Sequence, residues 1–218
     1  MIPIEPAPWE PARPGRLLEA GTLEIWRAPV DWDAPTGEHV GLYPEERKRA
    51  ERMRSAARRA QFAAGHALLN RIRAEHGEPM FTSLSHSGNW VTAAAARSGP
   101  VGVDVESLRM DRPLERLSRR FFAPEEHAGL ARFPAEERVQ LFYRLWTAKE
   151  ALFKALGMPA GAAHFAARRV FVPDACAAAP ESVVVEGFRV GWFSVAPGCL
   201  GAYAAPADIS RVRYLRPA

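Results

Sequence analysis

The sequence predicts an α+β protein made of two lobes of similar size facing one another across a cleft. Three observations lead there. The length, 218 residues, is enough for one large domain or two small lobes with a real interior. The halves echo each other: "YPEER" followed by "AGHALLNRIRAEHG" stands in the same order as "APEEH" followed by "TAKEALFKALG". In each half, helical patterns precede strand patterns. The expected layout is a Pro-rich arm over 1–16, an N-terminal lobe over 17–102 and a C-terminal lobe over 103–218. A ligand site belongs between the lobes.

Taken in order, the arm "MIPIEPAPWEPARPGR" reads as extended or poorly ordered chain. "TLEIWRAPV" is a first strand, with Leu23, Ile25 and the stem of Arg27 on alternate positions. "YPEERKRAERM" is a helix with Pro44 in its first turn and acids at its start. A second helix runs through "SAARRAQFAAGHALLNRIRAEHG" to about Gly77, with Phe62, His66, Leu69 and Arg73 along one stripe. "FTSLSHS" and "WVTAAAA" flank "SGN" as a β-hairpin, and "PVGVDVE" is another strand. "RPLERLSRRFF", "APEEHAGLARF" and "PAEERVQLFYRLWTAKEALFKALG" are helical. After Gly157 come strands in "RRVFV", "ESVVVEGFRVGWFSV" and "LGAYAAP", with a turn at "EGFR".

Composition narrows the function classes. Apolar residues make up 48% and charged residues 25%, as in ordinary soluble proteins. No apolar run approaches the roughly 20 residues a bilayer span needs. The N-terminus lacks a basic segment followed by an apolar one, so no secretory signal is expected. Two cysteines, Cys176 and Cys199, are too few for a disulfide framework or a zinc site. The expectation is a cytoplasmic protein with no membrane association. Net charge is +4 with a pI near 9.4, which favours polyanionic partners weakly. "ERKRAERMRSAARR" could serve as a nucleic-acid-binding helix, but its arginines are interleaved with acids all round the helix, so it reads as a solvated face. No nucleic-acid partner is expected.

Three short stretches carry possible chemistry. In "VGVDVES" the alternation is strict: the valines face one way, and Gly102, Asp104 and Glu106 the other. Two carboxylates side by side repel, and a divalent cation removes the conflict. Mg²⁺ is typically held by one or two carboxylates plus substrate phosphate. Gly102 is expected to leave open space beside them. The alternative is an edge strand with acids turned to water.

The second stretch is "LWTAKEALFKALG". This chain has only three lysines, Lys48, Lys149 and Lys154, and two of them flank Glu150. Lysine kept here in an arginine-rich chain points to a need for a compact ammonium. Trp146, Glu150 and Lys154 share a helix face. The structural alternative is an i, i+4 pair between Glu150 and Lys154, worth only ~0.3–0.5 kcal/mol. In the third stretch, "SLSHSG", His86 lies between the hydroxyls of Ser85 and Ser87 and could donate to phosphate. No neighbouring acid completes a hydrolase triad, and the nucleophile-elbow pattern is absent.

Combined and in this order, "FTSLSHSGNWV", "VGVDVE" and "RLWTAKEALFK" resemble the 4′-phosphopantetheinyl transferase superfamily, surfactin-synthetase-activating type. "LSRRFFAPEEHAGL" extends the likeness, which covers roughly residues 40–160. The resemblance implies a fold with two α+β halves related by a pseudo-twofold axis and an active site between them. It implies transfer of the phosphopantetheine arm of coenzyme A to a serine of an acyl or peptidyl carrier protein, releasing adenosine 3′,5′-bisphosphate, with Mg²⁺ required. Asp104, Glu106 and Glu150 match the metal ligands. Glu150 is also the candidate to take the serine proton. Lys154 is expected on the pyrophosphate and as an acid for the leaving group, Lys149 beside it on the flank, and His86 with Ser85 on a coenzyme A phosphate. A tryptophan at Trp146 resembles the broad-specificity subgroup serving polyketide and nonribosomal-peptide synthases. A monomer is expected.

Two positions depart from the family pattern. Gln61 stands where a basic residue usually meets the nucleotide 3′-phosphate, with Arg58 or Arg59 as the expected substitutes. Glu78 stands in "GEP" where the family has a basic residue before proline. Two rival enzyme classes fit less well. A metal-dependent nuclease would want acid-x-Lys, whereas Glu150 and Lys154 are four apart. A coenzyme A-dependent N-acyltransferase would want a tighter pyrophosphate loop than "QFAAGHA".

Overall fold

The computed structural model describes residues 7–13, 15–32, 41–158, 162–174 and 180–218. In chain order the elements are β1 (Glu10–Pro11), β2 (Thr22–Pro29), α1 (Pro44–Glu51), α2 (Ala56–His76), β3 (Phe81–Ser87), β4 (Trp90–Ala96) and β5 (Gly102–Ser107). They continue with α3 (Leu114–Phe121), α4 (Pro124–Leu130), α5 (Ala135–Ala155), α6 (Ala162–Ala167), β6 (Ser182–Val185), β7 (Phe188–Ala196), β8 (Cys199–Pro206) and β9 (Arg211–Arg216). The architecture is α+β, as expected. A five-stranded sheet has the order β1-β9-β2-β4-β3, and a four-stranded sheet has the order β5-β8-β7-β6. One 21-residue helix covers each sheet, α2 the first and α5 the second.

Local chemistry sets the helix limits. Ser55 caps α2 by accepting the Arg58 N–H at 3.3 Å, and Gly77, at φ +68°, ends it. α5 starts after Pro134, with Glu136 and Glu137 in its first turn. It stops at Gly157, φ +64°, where Met158 N–H bonds to Phe153 O and Gly157 N–H to Lys154 O. That pair of bonds is a Schellman termination, and it fixes the last turn of α5, which carries Lys154.

The two sheets meet where β3 lies beside β5. No backbone ladder joins these strands; serine hydroxyls do so instead. Val103 N–H donates to Ser83 Oγ at 3.0 Å, Val105 N–H to Ser85 Oγ at 3.3 Å, and Ser107 N–H to Ser87 Oγ at 3.0 Å. Because side chains on a strand alternate in direction, every second residue of β3 reaches across the seam.

Several expectations change. "RRVFV" is not a strand: 168–172 runs irregularly, and Val170 N–H bonds to Glu126 Oε1 at 2.7 Å. The expected strand order also missed β1, α6 and β9. The last strand, β9, does not stay with the C-terminal half but pairs parallel to β2 and β1 in the first sheet. The described part of the arm is extended, with Trp9 wedged against Phe193 and Tyr214. Arg27 does not simply lay its stem on the core; its guanidinium lies between the rings of Trp9 and Trp90, 4.5 and 5.1 Å from their centres. Cys199 is a buried free thiol, while Cys176 lies outside the described residues.

Lys149 also departs from expectation. Its side chain is fully buried and points away from the cleft. The ammonium pairs with Glu126 at 2.8 Å and donates to Phe165 O at 2.9 Å and to Arg168 O. Those three acceptors engage all its protons, so none is left for a phosphate. Glu126 in turn accepts Ala123 N–H at 2.9 Å as well as Val170 N–H. The pair therefore ties α4, α5 and the segment after α6 together. Removing one partner strands a buried charge, so Lys149→Met or Glu126→Gln should each lose about 3–5 kcal/mol in urea unfolding.

Candidate active site

The site forms where α5 crosses β5, and Gly102 sets the distance between them. A Cβ at Gly102 would lie 1.8 Å from Ala151 O and 2.8 Å from Ala155 N. The space expected beside Gly102 is thus filled by the backbone of α5. This close approach carries Glu150 and Lys154 over the carboxylates of β5. Gly102→Ala should push α5 off the sheet, because backbone atoms cannot yield as a flexible side chain does. A fall in melting temperature together with loss of transfer activity is the expected result.

Asp104 is only 6% exposed, not the outward acid its alternation implied. Its Oδ1 accepts Lys154 Nζ at 2.9 Å and Ser85 Oγ at 2.8 Å. Its Oδ2 is buried with no hydrogen-bond partner. Glu106 is half-buried, accepts Ser87 Oγ at 3.0 Å and has Arg112 at 3.9 Å. Burial pushes both carboxyls above their ordinary pKa, and Asp104 raises Glu106 further. Glu150 goes up to about 7, through burial first and then the charge of Asp104, with Lys154 opposing. The three acids therefore sense one another across the site.

Lys154 does not form the helix pair with Glu150. Its ion pair is with Asp104, and a second proton goes to Val103 O at 2.9 Å. One N–H remains, and the side chain lines a cavity of about 360 Å³ bounded also by Arg49, Phe62, His66, Leu84, Ser85 and His86. His86 reaches solvent there. Loss of hydration around its ring lowers its pKa, and Lys154 and Arg58 push the same way. Its imidazole is thus biased towards the neutral form until an anion arrives.

Ser85 lines the same cavity, but its proton goes to Asp104, so it acts on the carboxylate and not on a phosphate. Arg58 is exposed near His86, whereas Arg59 is half-buried. Gln61 donates to Gly88 O at 3.0 Å, which commits it to the β3–β4 turn. Glu78 pairs with Arg73 at 3.6 Å and is not among the residues that bound the cavity. Sequence reasoning missed Arg49, Phe62 and His66 as cavity walls. Arg49 sits over the Phe62 ring at 5.2 Å, Phe62 stacks on His66 at 4.0 Å, and His66 is held by Glu46 at 2.7 Å. The i, i+4 spacing of Phe62 and His66 on one helical stripe is the signal available in the sequence.

Among the described residues, no three His, Cys, Asp or Glu side chains are gathered into a ready-made metal cage. The donors nonetheless suit a hard cation that keeps water and substrate oxygen in its shell. All are carboxylates, Asp104 raises the pKa of Glu106 and both raise that of Glu150, and Asp104 Oδ2 is a buried acceptor still lacking a partner.

Comparison with known proteins agrees with this chemistry. Residues 100–183 match the sequence model of the family described as the 4′-phosphopantetheinyl transferase superfamily. The chain is 30% identical over 176 residues to 4′-phosphopantetheinyl transferase HetI of Nostoc sp., covering 68% of this chain and 74% of HetI. The chain belongs to this superfamily. It is also 33% identical over 115 residues to AcpT of Salmonella typhimurium, covering 46% of this chain and 60% of that protein. With psf-1 of Bacillus pumilus the identity is 38% over 89 residues, 39% of this chain and 36% of that one. Both are named 4′-phosphopantetheinyl transferases. The matched region from 100 to 183 holds β5 and α5, which supply all three acids and Lys154. His86 is exposed and lines the cavity, so its expected contact with a coenzyme A phosphate can be tested directly. His86→Ala should raise KM for coenzyme A while leaving kcat at saturation within about threefold. Steady-state kinetics will check this; a large loss of kcat at constant KM would contradict it.

Proposed function

We propose that this cavity binds coenzyme A and that the protein moves its 4′-phosphopantetheine arm onto a carrier-protein serine. The observation that carries the reading is the grouping of Asp104, Glu106 and Glu150 around Lys154, which itself lines a cavity together with Arg49, His66 and His86. The serine oxygen attacks the β-phosphorus of coenzyme A. The new P–O bond forms as the bond from that phosphorus to the bridging oxygen breaks, and adenosine 3′,5′-bisphosphate leaves.

Glu150, held near neutral pKa by burial and by its acidic neighbours, takes the serine proton directly or through a water. Lys154 directs its remaining N–H at the pyrophosphate and protonates the leaving group. His86 and Arg58 bind phosphate at the cavity mouth, and the aromatic wall of Phe62 and His66 offers a stacking surface for the base. Asp104, Glu106 and Glu150 would hold Mg²⁺, which when bound supplies positive charge to the pyrophosphate. We place the protein with the surfactin-synthetase-activating subgroup, on the strength of Trp146. Trp146 itself is half-buried among Phe121, Phe142 and Phe165.

We propose a monomer as the working unit. No helix among the described residues is long and apolar enough to cross a membrane, and we propose a cytoplasmic site of action without a nucleic-acid partner.

The direct test is to incubate the protein with coenzyme A, Mg²⁺ and a panel of acyl and peptidyl carriers, then weigh the carriers. A mass gain of one phosphopantetheine on a peptidyl carrier is the expected outcome; gain on acyl carriers alone would refute the subgroup placement. Within the same assay, Lys154→Ala should lower the rate by about 10²–10³, as loss of a comparable electrostatic donor does. Retention of activity within about threefold would confine Lys154 to a structural pairing with Asp104.

A further inference from the structure

We propose that Ser87 is a positioning residue for the Glu106 carboxylate, setting its direction from the opposite lobe. The proposal rests on the reading of Glu106 as a cation ligand. The three serines of β3 do not perform the same task. Ser83 Oγ accepts Val103 N–H, and that is its role at the seam. Ser85 and Ser87 each do two things at once: they accept a β5 N–H and donate their own proton to the carboxylate one residue before that N–H. Ser85 serves Asp104, which Lys154 also holds. Glu106 has no such lysine. Apart from Ser87 at 3.0 Å, its ion-pair partner is Arg112 at 3.9 Å, a distance without a defined hydrogen bond.

A glutamate has one more rotatable bond than an aspartate, so it needs an external hold more. Ser87 supplies a proton to Oε2, leaving Oε1, 3.9 Å from the Arg112 guanidinium, as the oxygen without a hydrogen bond. The hydroxyl itself is fixed because its lone pair is taken by Ser107 N–H. The turn that follows keeps this geometry: a Cβ on Gly88, φ +53°, would strike Ser107 Oγ at 2.6 Å, so β3 and β5 are in close contact at this point. Ser87 is not part of the cavity wall. It therefore acts on the acid and not on coenzyme A.

The test uses the intact protein and Mn²⁺ alone as probe, titrated by electron paramagnetic resonance without coenzyme A, alongside steady-state kinetics. Ser87→Ala should weaken Mn²⁺ binding about 10-fold or more, as loss of an outer hydrogen bond to a ligand does. It should lower kcat while KM for coenzyme A stays within about twofold. Ser87→Thr, which keeps the hydroxyl, should restore both. Ser87→Ala also orphans Ser107 N–H, a structural effect, so a double-mutant cycle separates the two roles. In a Glu106→Gln background the positioning effect has nothing left to position, and Ser87→Ala should add no further loss of Mn²⁺ affinity. Parental Mn²⁺ affinity in Ser87→Ala, or an equal further loss in the Glu106→Gln background, overturns the proposal. Parental affinity in Glu106→Gln alone would instead remove the assignment of Glu106 as a ligand, and the proposal with it. If Ser87→Ala fails to fold, Ser87→Cys, which keeps the volume and weakens the donor, takes its place in the cycle.

Discussion

The absent side chain at Gly102 governs the rest of the site. Helices normally stand off a sheet by the thickness of two side-chain layers, but here the carbonyl of Ala151 occupies the place of a Cβ. The short distance has an electrostatic result. It brings an acid and an ammonium from α5 into a space already holding two acids from β5, with little water to screen them. The raised pKa of Glu150 follows from that crowding. The apolar face of the same helix, with Leu145, Ala148 and Leu152 fully buried, is the adhesive that makes the crowding tolerable.

The two lysines of α5 are chemically alike and serve separate ends. Lys149 meets three oxygens from three directions, a geometry a small ammonium satisfies and a planar guanidinium does not. Its burial lowers its pKa, and Glu126 opposes that fall. Lys154, about a turn further on, is only partly withdrawn from solvent and keeps a proton for the cavity. Compactness is needed at both positions, once for packing and once for access.

Much of this could be read from residue patterns, and the failures have physical causes. Strict alternation in "VGVDVES" placed the acids on one face correctly, but alternation cannot show what covers that face. Asp104 was consequently taken as exposed and Gly102 as open. The helix of α5 was legible from its caps and periodicity. The direction of Lys149 was not, because its partner Glu126 lies 23 residues earlier on another helix. "RRVFV" has the composition of a strand, yet Val170 N–H bonds to Glu126 and Arg168 O accepts from Lys149, a tertiary demand that propensity does not register. Serines 83, 85 and 87 looked like hairpin residues; their role appears only once β5 lies alongside.

The position of β9 has a consequence for how the molecule is made. This strand lies between β1 and β2, and Arg213 reaches Glu24 across 189 residues of chain. The first sheet therefore cannot be completed while only the first half of the polypeptide exists. Its strands β2, β4 and β3 can pair early, but β2 keeps an unpaired edge until β9 is synthesised. Joining residues so far apart carries a large loop-closure entropy. The lobes are thus not independent folding units: a ribosome carrying the nascent N-terminal half holds a sheet with one open edge, a surface of the kind molecular chaperones bind.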